Sequence, residues 1–84
     1  MKYVMFRVPS KTGGPPMMLP VLFPCDIVHS ELAAAIRLCS GMEDAEIVAA
    51  GAVFLSGPVS TIGRSDSLGV TARKDDAAVI LSQL

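Results

Sequence analysis

Two cysteines, an aspartate and a histidine in the first half of the chain are the residues that could bind a metal. Cys25, Asp26 and His29 fall within five residues, and Cys39 follows His29 by ten positions. A structural zinc site needs four ligands, and Asp26 is too close to Cys25 to be a convincing fourth. On one helix, Cys39 would lie about 15 Å along the axis from His29. We therefore predict no metal site, and no pattern in the sequence calls for a cofactor.

Cys25 and His29 are also the only pair of residues that suggests catalysis. A cysteine just before a helix can act as a nucleophile when a nearby histidine serves as its base. The sequence offers no oxyanion hole and no group that would orient the histidine. We therefore expect a protein that is not an enzyme, and we expect both of its cysteines to be buried thiols of a reducing compartment.

A polar link between two glycines, residues 63–69, offers donors for an anion. It contains Arg64 and the hydroxyls of Ser65 and Ser67, and Arg73 follows soon after it. Backbone amides in such a turn can form a concave anion-binding site. The alternative is that the side chains of the link satisfy their own turn. Both remain open, and the candidate ligand-binding residues are Arg64, Ser65, Ser67 and Arg73.

The longest uncharged run lies between Glu46 and Arg64 and has 17 residues. It is barely long enough to cross a bilayer as a helix, and Ser56-Gly57-Pro58 in its middle is a turn signature. We therefore predict a hairpin of two strands, 46–55 and 59–65, and no membrane contact. The first strand is apolar on both sides, so that helices or a second copy must cover each face. The residues predicted to share one face are Ile47, Ala49, Gly51, Val53 and Leu55.

The chain before this run predicts another hairpin. Residues 2–8 alternate between two faces, and Pro9 ends the strand. Residues 10–16 contain two glycines and two prolines and are typical of a flexible connector. Residues 17–23 contain Pro20, which suits an edge strand because proline cannot donate to a central ladder.

Two helices complete the predicted fold. The first follows Asp26 or Ser30 as its cap and stops at Gly41, where a left-handed residue is expected. The second starts at Thr71 as N-cap, runs to about residue 83 and is expected to bury Ala77, Ile80, Leu81 and Leu84. The chain is thus predicted to be a single α+β domain over residues 1–84. Its element order is ββαββα, with a small, mainly antiparallel sheet and two helices packed on it.

Composition limits the classes of function. The chain is 51% hydrophobic and only 18% charged, which excludes a disordered tail and leaves more apolar surface than 84 residues readily bury. This excess favours a homo-oligomer or another protein as partner. A net charge of -1 and four aromatic residues argue against non-specific nucleic-acid binding. No signal-peptide pattern follows Lys2, so we expect a cytoplasmic protein.

Several short motifs along the chain carry a resemblance to a group of small proteins. They are Lys2-Tyr3-Val4, Phe23-Pro24, Val28-His29, Ala50-Gly51, Ser65-Asp66-Ser67-Leu68 and Asp76-Ala77. With these motifs, the chain resembles uncharacterised proteins encoded in bacterial and temperate-phage genomes. The resemblance implies a cytoplasmic accessory or host-interaction protein and carries over no catalytic residue. We therefore expect a self-associating, non-enzymatic interaction module. The alternative is a small-ligand or anion-binding protein that uses the link at 63–69.

Overall fold

The computed structural model describes all 84 residues and is built around a four-stranded antiparallel sheet in the order β2-β1-β3-β4. A two-stranded hairpin, β5–β6, follows the sheet, and the predicted α+β class and ββαββα order of the main elements are confirmed. Neither helix has the length and apolar character needed to span a membrane. The elements are β1 (Lys2–Val8), β2 (Met17–Phe23), α1 (His29–Arg37), β3 (Glu46–Phe54), β4 (Ser60–Ile62), β5 (Arg64–Ser65), β6 (Val70–Thr71) and α2 (Asp76–Ser82).

The two central strands, β1 and β3, are covered on both faces of the sheet. In β1, Tyr3 and Met5 point to one face and Val4 and Phe6 to the other, and all four side chains are fully buried. α1 packs on the side of Val4 and Phe6, which we call the α1 face. α2 packs on the side of Tyr3 and Met5, the α2 face. The helices of the same chain therefore supply the double cover that the apolar strand requires, without a second copy.

A β-bulge changes the predicted alternation of β3. Met5 pairs with Ala49, but Phe6 pairs with Ile47, so Val48 is an additional residue in the strand. As a result, Ile47 packs in the core of the α1 face while Ala49 packs in the core of the α2 face. The prediction that Ile47 and Ala49 share a face is wrong, because the bulge rotates the strand between them.

The predicted turn at residues 56–58 joins β3 to β4, with Val53 opposite Thr61 in antiparallel register. β4 is shorter than predicted and ends at Ile62. The next residue, Gly63, has φ +82° and bends the chain out of the ladder. The polar link at residues 63–69 then forms most of the β5–β6 hairpin instead of a plain turn.

The second helix, α2, is also shorter than predicted. Thr71 is not its N-cap, because backbone pairing holds this residue in β6. The helix begins at Asp76, and its buried stripe is formed by Asp76 and Ile80, four residues apart. Leu81 and Leu84 are exposed, so their predicted burial is wrong. A helix of two turns presents only one narrow stripe to the sheet, and these two residues lie outside it.

The segments that flank α1 hold the two cysteines. Gly41 has φ +87°, as the predicted left-handed stop requires, although the helix itself ends at Arg37. Cys25 lies in the turn before α1 and Cys39 lies after its end. Both thiols are free and exposed. The prediction that they are buried is wrong, because neither residue belongs to the helix stripe that faces the sheet.

Candidate functional site

One candidate surface feature is a pair of large apolar side chains at one end of the sheet. Ile62 pairs with Ala52, so Phe54, two residues further along β3, is its diagonal neighbour on the same face. The alternation that begins at Ala50 places both on the α1 face. Phe54 remains 49% exposed and Ile62 54% exposed, and Leu55, the next residue after β3, is exposed as well. We call Phe54, Leu55 and Ile62 the apolar corner.

The serines of the link at residues 63–69 are used by the link itself. Ser65 is buried, and its Oγ accepts a hydrogen bond from the backbone N of Leu68 at 3.2 Å. Its carbonyl accepts one from Gly69 N at 2.9 Å. The hydroxyls of Ser65 and Ser67 lie 3.3 Å apart and share a hydrogen bond. This geometry favours the alternative in which the link satisfies its own turn.

Ser67 also provides a cap for α1. Its Oγ accepts a hydrogen bond at 3.2 Å from the backbone N of Ser30, the second residue of the helix. The N-cap residue of α1 is Val28, which has no side chain that can serve this purpose. The predicted caps, Asp26 and Ser30, are wrong, because the cap comes from a hairpin 37 residues later in the chain. The start of α1 is therefore hydrogen-bonded to the β5–β6 hairpin.

The two arginines among the candidate ligand-binding residues each have a carboxylate partner. Arg64 Nε lies 3.0 Å from Asp66 Oδ1, in a pair that is largely exposed and therefore weak. The guanidinium of Arg73 donates two hydrogen bonds to Asp76 Oδ1, at 3.1 and 2.9 Å. The structure thus brings the two serines together and directs the arginines to separate carboxylates. Anion binding at this link stays a prediction.

A buried polar network joins α2 to the sheet, and the sequence did not predict it. Asp76 is fully buried, and its Oδ2 accepts hydrogen bonds from the hydroxyl of Tyr3 and from the backbone N of Arg73. Thr61 Oγ1 donates to the carbonyl of Arg73 at 3.0 Å. The network therefore links β1, β4 and α2. One signal was present in the sequence: Asp76 lies four positions before Ile80, on the stripe that a packed helix buries.

This network predicts unusual behaviour of the chain in alkali. Burial and the neighbouring Asp76 carboxylate raise the pKa of the Tyr3 phenol far above its ordinary value of about 10. The unfolded chain releases this proton near pH 10 while the folded chain keeps it. We therefore expect the free energy of unfolding to fall as the pH rises above about 10.

The chain contains a single tyrosine, so phenolate absorbance reports Tyr3 alone. We expect no phenolate signal from the folded protein near pH 10, and its sudden appearance when the protein unfolds in stronger alkali. The Tyr3→Phe variant has no phenol to ionise, so its free energy of unfolding should fall less steeply in alkali than that of the wild type. A native protein whose tyrosine ionises gradually around pH 10 would contradict the buried hydrogen bond.

Cys25 and His29 do not form a pair. His29 is buried, its Nε2 lies 3.0 Å from the carbonyl oxygen of Gly51, and its ring packs edge-on against Phe23 at 5.4 Å. No hydrogen bond joins Cys25 to His29, and Cys39 Sγ instead donates weakly to a carbonyl of α1. Nowhere does the fold assemble three or more side chains suited to a metal ion. The evident role of His29 is to fix the start of α1 to β3.

Two shallow polar clefts lie beside the loop between β1 and β2 and share Pro9 and Ser10. Their volumes are about 260 and 370 Å³. In the smaller cleft, the carboxylate of Glu43 accepts a hydrogen bond from the backbone N of Gly41. In the larger cleft, Arg7 forms an ion pair with Glu46 at 3.0 Å. Neither cleft contains a predicted site residue.

The fold and these sites define an α+β protein with helices on both faces of a small antiparallel sheet. No protein-family model, no curated protein and no solved structure matches this chain. The resemblance to small proteins of bacterial and temperate-phage genomes therefore stays a hypothesis that rests on the short motifs alone.

Proposed function

We propose that this protein is a non-enzymatic interaction module that self-associates through the apolar corner. The observation that carries the proposal is that Phe54 and Ile62 lie side by side and about half-exposed, although the core covers both faces of the central strands. Large apolar side chains that adjoin each other at a surface are typical of interaction sites. The apolar corner contains part of the excess of apolar residues predicted from composition.

Two further features support the proposal over its alternatives. The serines and arginines of the link at 63–69 already have partners within the chain, which makes them less available to an anion. His29 is engaged with a backbone carbonyl instead of Cys25. We also propose a cytoplasmic location and a bacterial or phage accessory role. Two exposed free thiols suit a reducing compartment.

The size of the apolar corner sets the expected strength of association. Covering the exposed half of Phe54 or Ile62 contributes about 1 kcal/mol each, so a twofold contact between two copies gains about 4 kcal/mol from these side chains. Association itself costs at least that much in lost translational and rotational freedom. The expected complex is therefore weak, with a dissociation constant of about 1 mM or above.

The test is the solution mass of the protein, measured by sedimentation from micromolar to millimolar concentration. We expect the mass of the wild type to rise with concentration. Phe54→Ser combined with Ile62→Ser should weaken association by about tenfold or more, because it removes the apolar contact.

Leu38→Ser is the matched control, since Leu38 is almost fully exposed but lies after α1, outside the apolar corner. It should associate like the wild type. A wild type that is monomeric at every concentration, or a double variant that associates unchanged, would refute the proposed function.

A further inference from the structure

The sheet has one long open edge, which is β2. Met1 O accepts a hydrogen bond from Val53 N at 2.8 Å. Because the backbone N–H and C=O groups alternate in direction along a strand, those of the odd-numbered residues in β1 point to β3. Those of the even-numbered residues point to β2. Phe23, Val21, Leu19 and Met17 pair with the even-numbered residues of β1. The backbone groups that point away from the sheet therefore belong to Met18, Pro20 and Leu22.

Two of these three positions cannot accept a neighbouring strand in full. Pro20 has no backbone N–H, so it offers no donor at the centre of the edge. At Met18, the carbonyl accepts a hydrogen bond from Gln83 Nε2 at 2.9 Å. This bond is independent evidence that the Met18 carbonyl faces outward. Gln83 follows the last residue of α2, and its side-chain amide lies where an N–H of an added strand would lie.

The opposite edge has little free backbone. β4 has three residues, and just beyond it the carbonyl of Gly63 accepts a hydrogen bond from Ala72 N at 3.0 Å. β2 has seven residues, two helices flank the sheet faces beside it, and nothing else pairs with its outer side. An exposed edge of this length is a template for pairing with another chain.

We infer that Pro20 and Gln83 together prevent β2 from pairing with β2 of a second copy. In an antiparallel pair about a twofold axis, Met18 of one copy would lie opposite Leu22 of the other, with the two Pro20 residues at the centre. The central pair forms no hydrogen bond in either direction, and both Met18 carbonyls are already occupied. This inference is independent of the apolar corner, which lies at the β4 side of the sheet.

The experiment restores the hydrogen-bonding groups on the outer side of β2 in the chain of 84 residues. Pro20→Thr supplies the missing N–H and Gln83→Ala frees the Met18 carbonyl. Solution mass from micromolar to millimolar concentration gives the state of association, and hydrogen exchange of the Met18 and Leu22 amides shows whether β2 is paired. We expect the double variant to associate at least about tenfold more tightly than the wild type, with both amides protected at high concentration. Association through the apolar corner leaves these amides unprotected, which separates the two hypotheses.

Gln83→Ala alone keeps the test valid if Pro20→Thr fails to fold, because Gln83 is exposed and its side chain makes only this bond. It should give a smaller change in the same direction. Ser82→Ala is the control, since its hydroxyl bonds only within α2 and does not reach β2. Three results would overturn the inference: wild-type mass and exchange in a folded double variant, wild-type mass and exchange in Gln83→Ala if the double variant does not fold, and increased mass without protection of Met18 and Leu22.

Discussion

Asp76→Ala should lower the free energy of unfolding by about 3 kcal/mol, measured by urea denaturation. The carboxylate is fully buried, and its removal takes away the acceptor of the hydrogen bond that the Tyr3 hydroxyl donates inside the core. The guanidinium of Arg73 loses both of its hydrogen bonds to the same group. A domain of this size has a total stability of about 5–15 kcal/mol, so the loss is a large fraction of it.

Asp75→Ala is the matched control for this substitution. Asp75 precedes Asp76 but is exposed and has no side-chain cap hydrogen bond, so its removal should change stability by less than about 0.5 kcal/mol. Tyr3→Phe removes one donor and leaves Asp76 with Arg73, and we expect a loss of about 1 kcal/mol. In the Tyr3→Phe background, Asp76→Ala should lower the free energy of unfolding by less than it does in the wild type, because no tyrosine hydroxyl then loses its acceptor. Equal effects of Asp75→Ala and Asp76→Ala would refute the network.

The class of fold could be predicted because its strands carry clear local signals. Residues 2–8 alternate between two buried faces, and the turn at 56–58 has the sequence that a hairpin requires. The bulge at Val48 left no such signal. Its neighbours Ile47, Ala49 and Ala50 are all apolar, so a shift of one residue in register leaves no polar side chain on the wrong face.

The lengths of the later elements depended on contacts that are distant in sequence. Thr71 has the chemistry of an N-cap, but pairing with Arg64 places it in β6. Leu81 and Leu84 have helical spacing, yet they stay exposed because α2 is short. Local propensity predicted the final helix but not the strand that holds Thr71, and tertiary pairing determined where the helix begins and which residues it buries.

The sites differ in how far the sequence could indicate them. Composition predicted surplus apolar surface, but that Phe54 and Ile62 are neighbours on one face depends on the register of β3 and β4. Tyr3 and Asp76 are 73 positions apart, so no motif could join them. Ser67 was chosen as an anion ligand because of its hydroxyl, and the structure shows that hydroxyl on the start of α1. In this contact the hydroxyl accepts a hydrogen bond from a residue 37 positions earlier in the chain, which no local pattern could indicate.

Gly51→Ala should destabilise the protein by about 2–3 kcal/mol, which is large for the addition of one methyl group. A Cβ at this position would lie 2.6 Å from the carbonyl oxygen of Ile62 and 3.0 Å from the Cβ of Ala72. The Ile62 oxygen belongs to the backbone and cannot rotate away, so β4 itself would have to move. Gly51 also provides the carbonyl that lies against His29, so the strain should reach α1.

The controls for Gly51→Ala distinguish steric crowding by the added Cβ from a backbone conformation that favours glycine. Gly51 does not have a positive φ, so the expected loss comes from crowding alone. Gly14→Ala, where the added Cβ would be 3.5 Å from Ser10 Oγ, makes an ordinary contact and should change stability by less than about 0.5 kcal/mol. Adding Ala72→Gly to Gly51→Ala removes the side-chain contact but leaves the Ile62 oxygen in place, so recovery in urea denaturation should be only partial. Full recovery would show that Ala72 alone requires a glycine at this position, and no loss in the single variant would show that β4 can move away from β3.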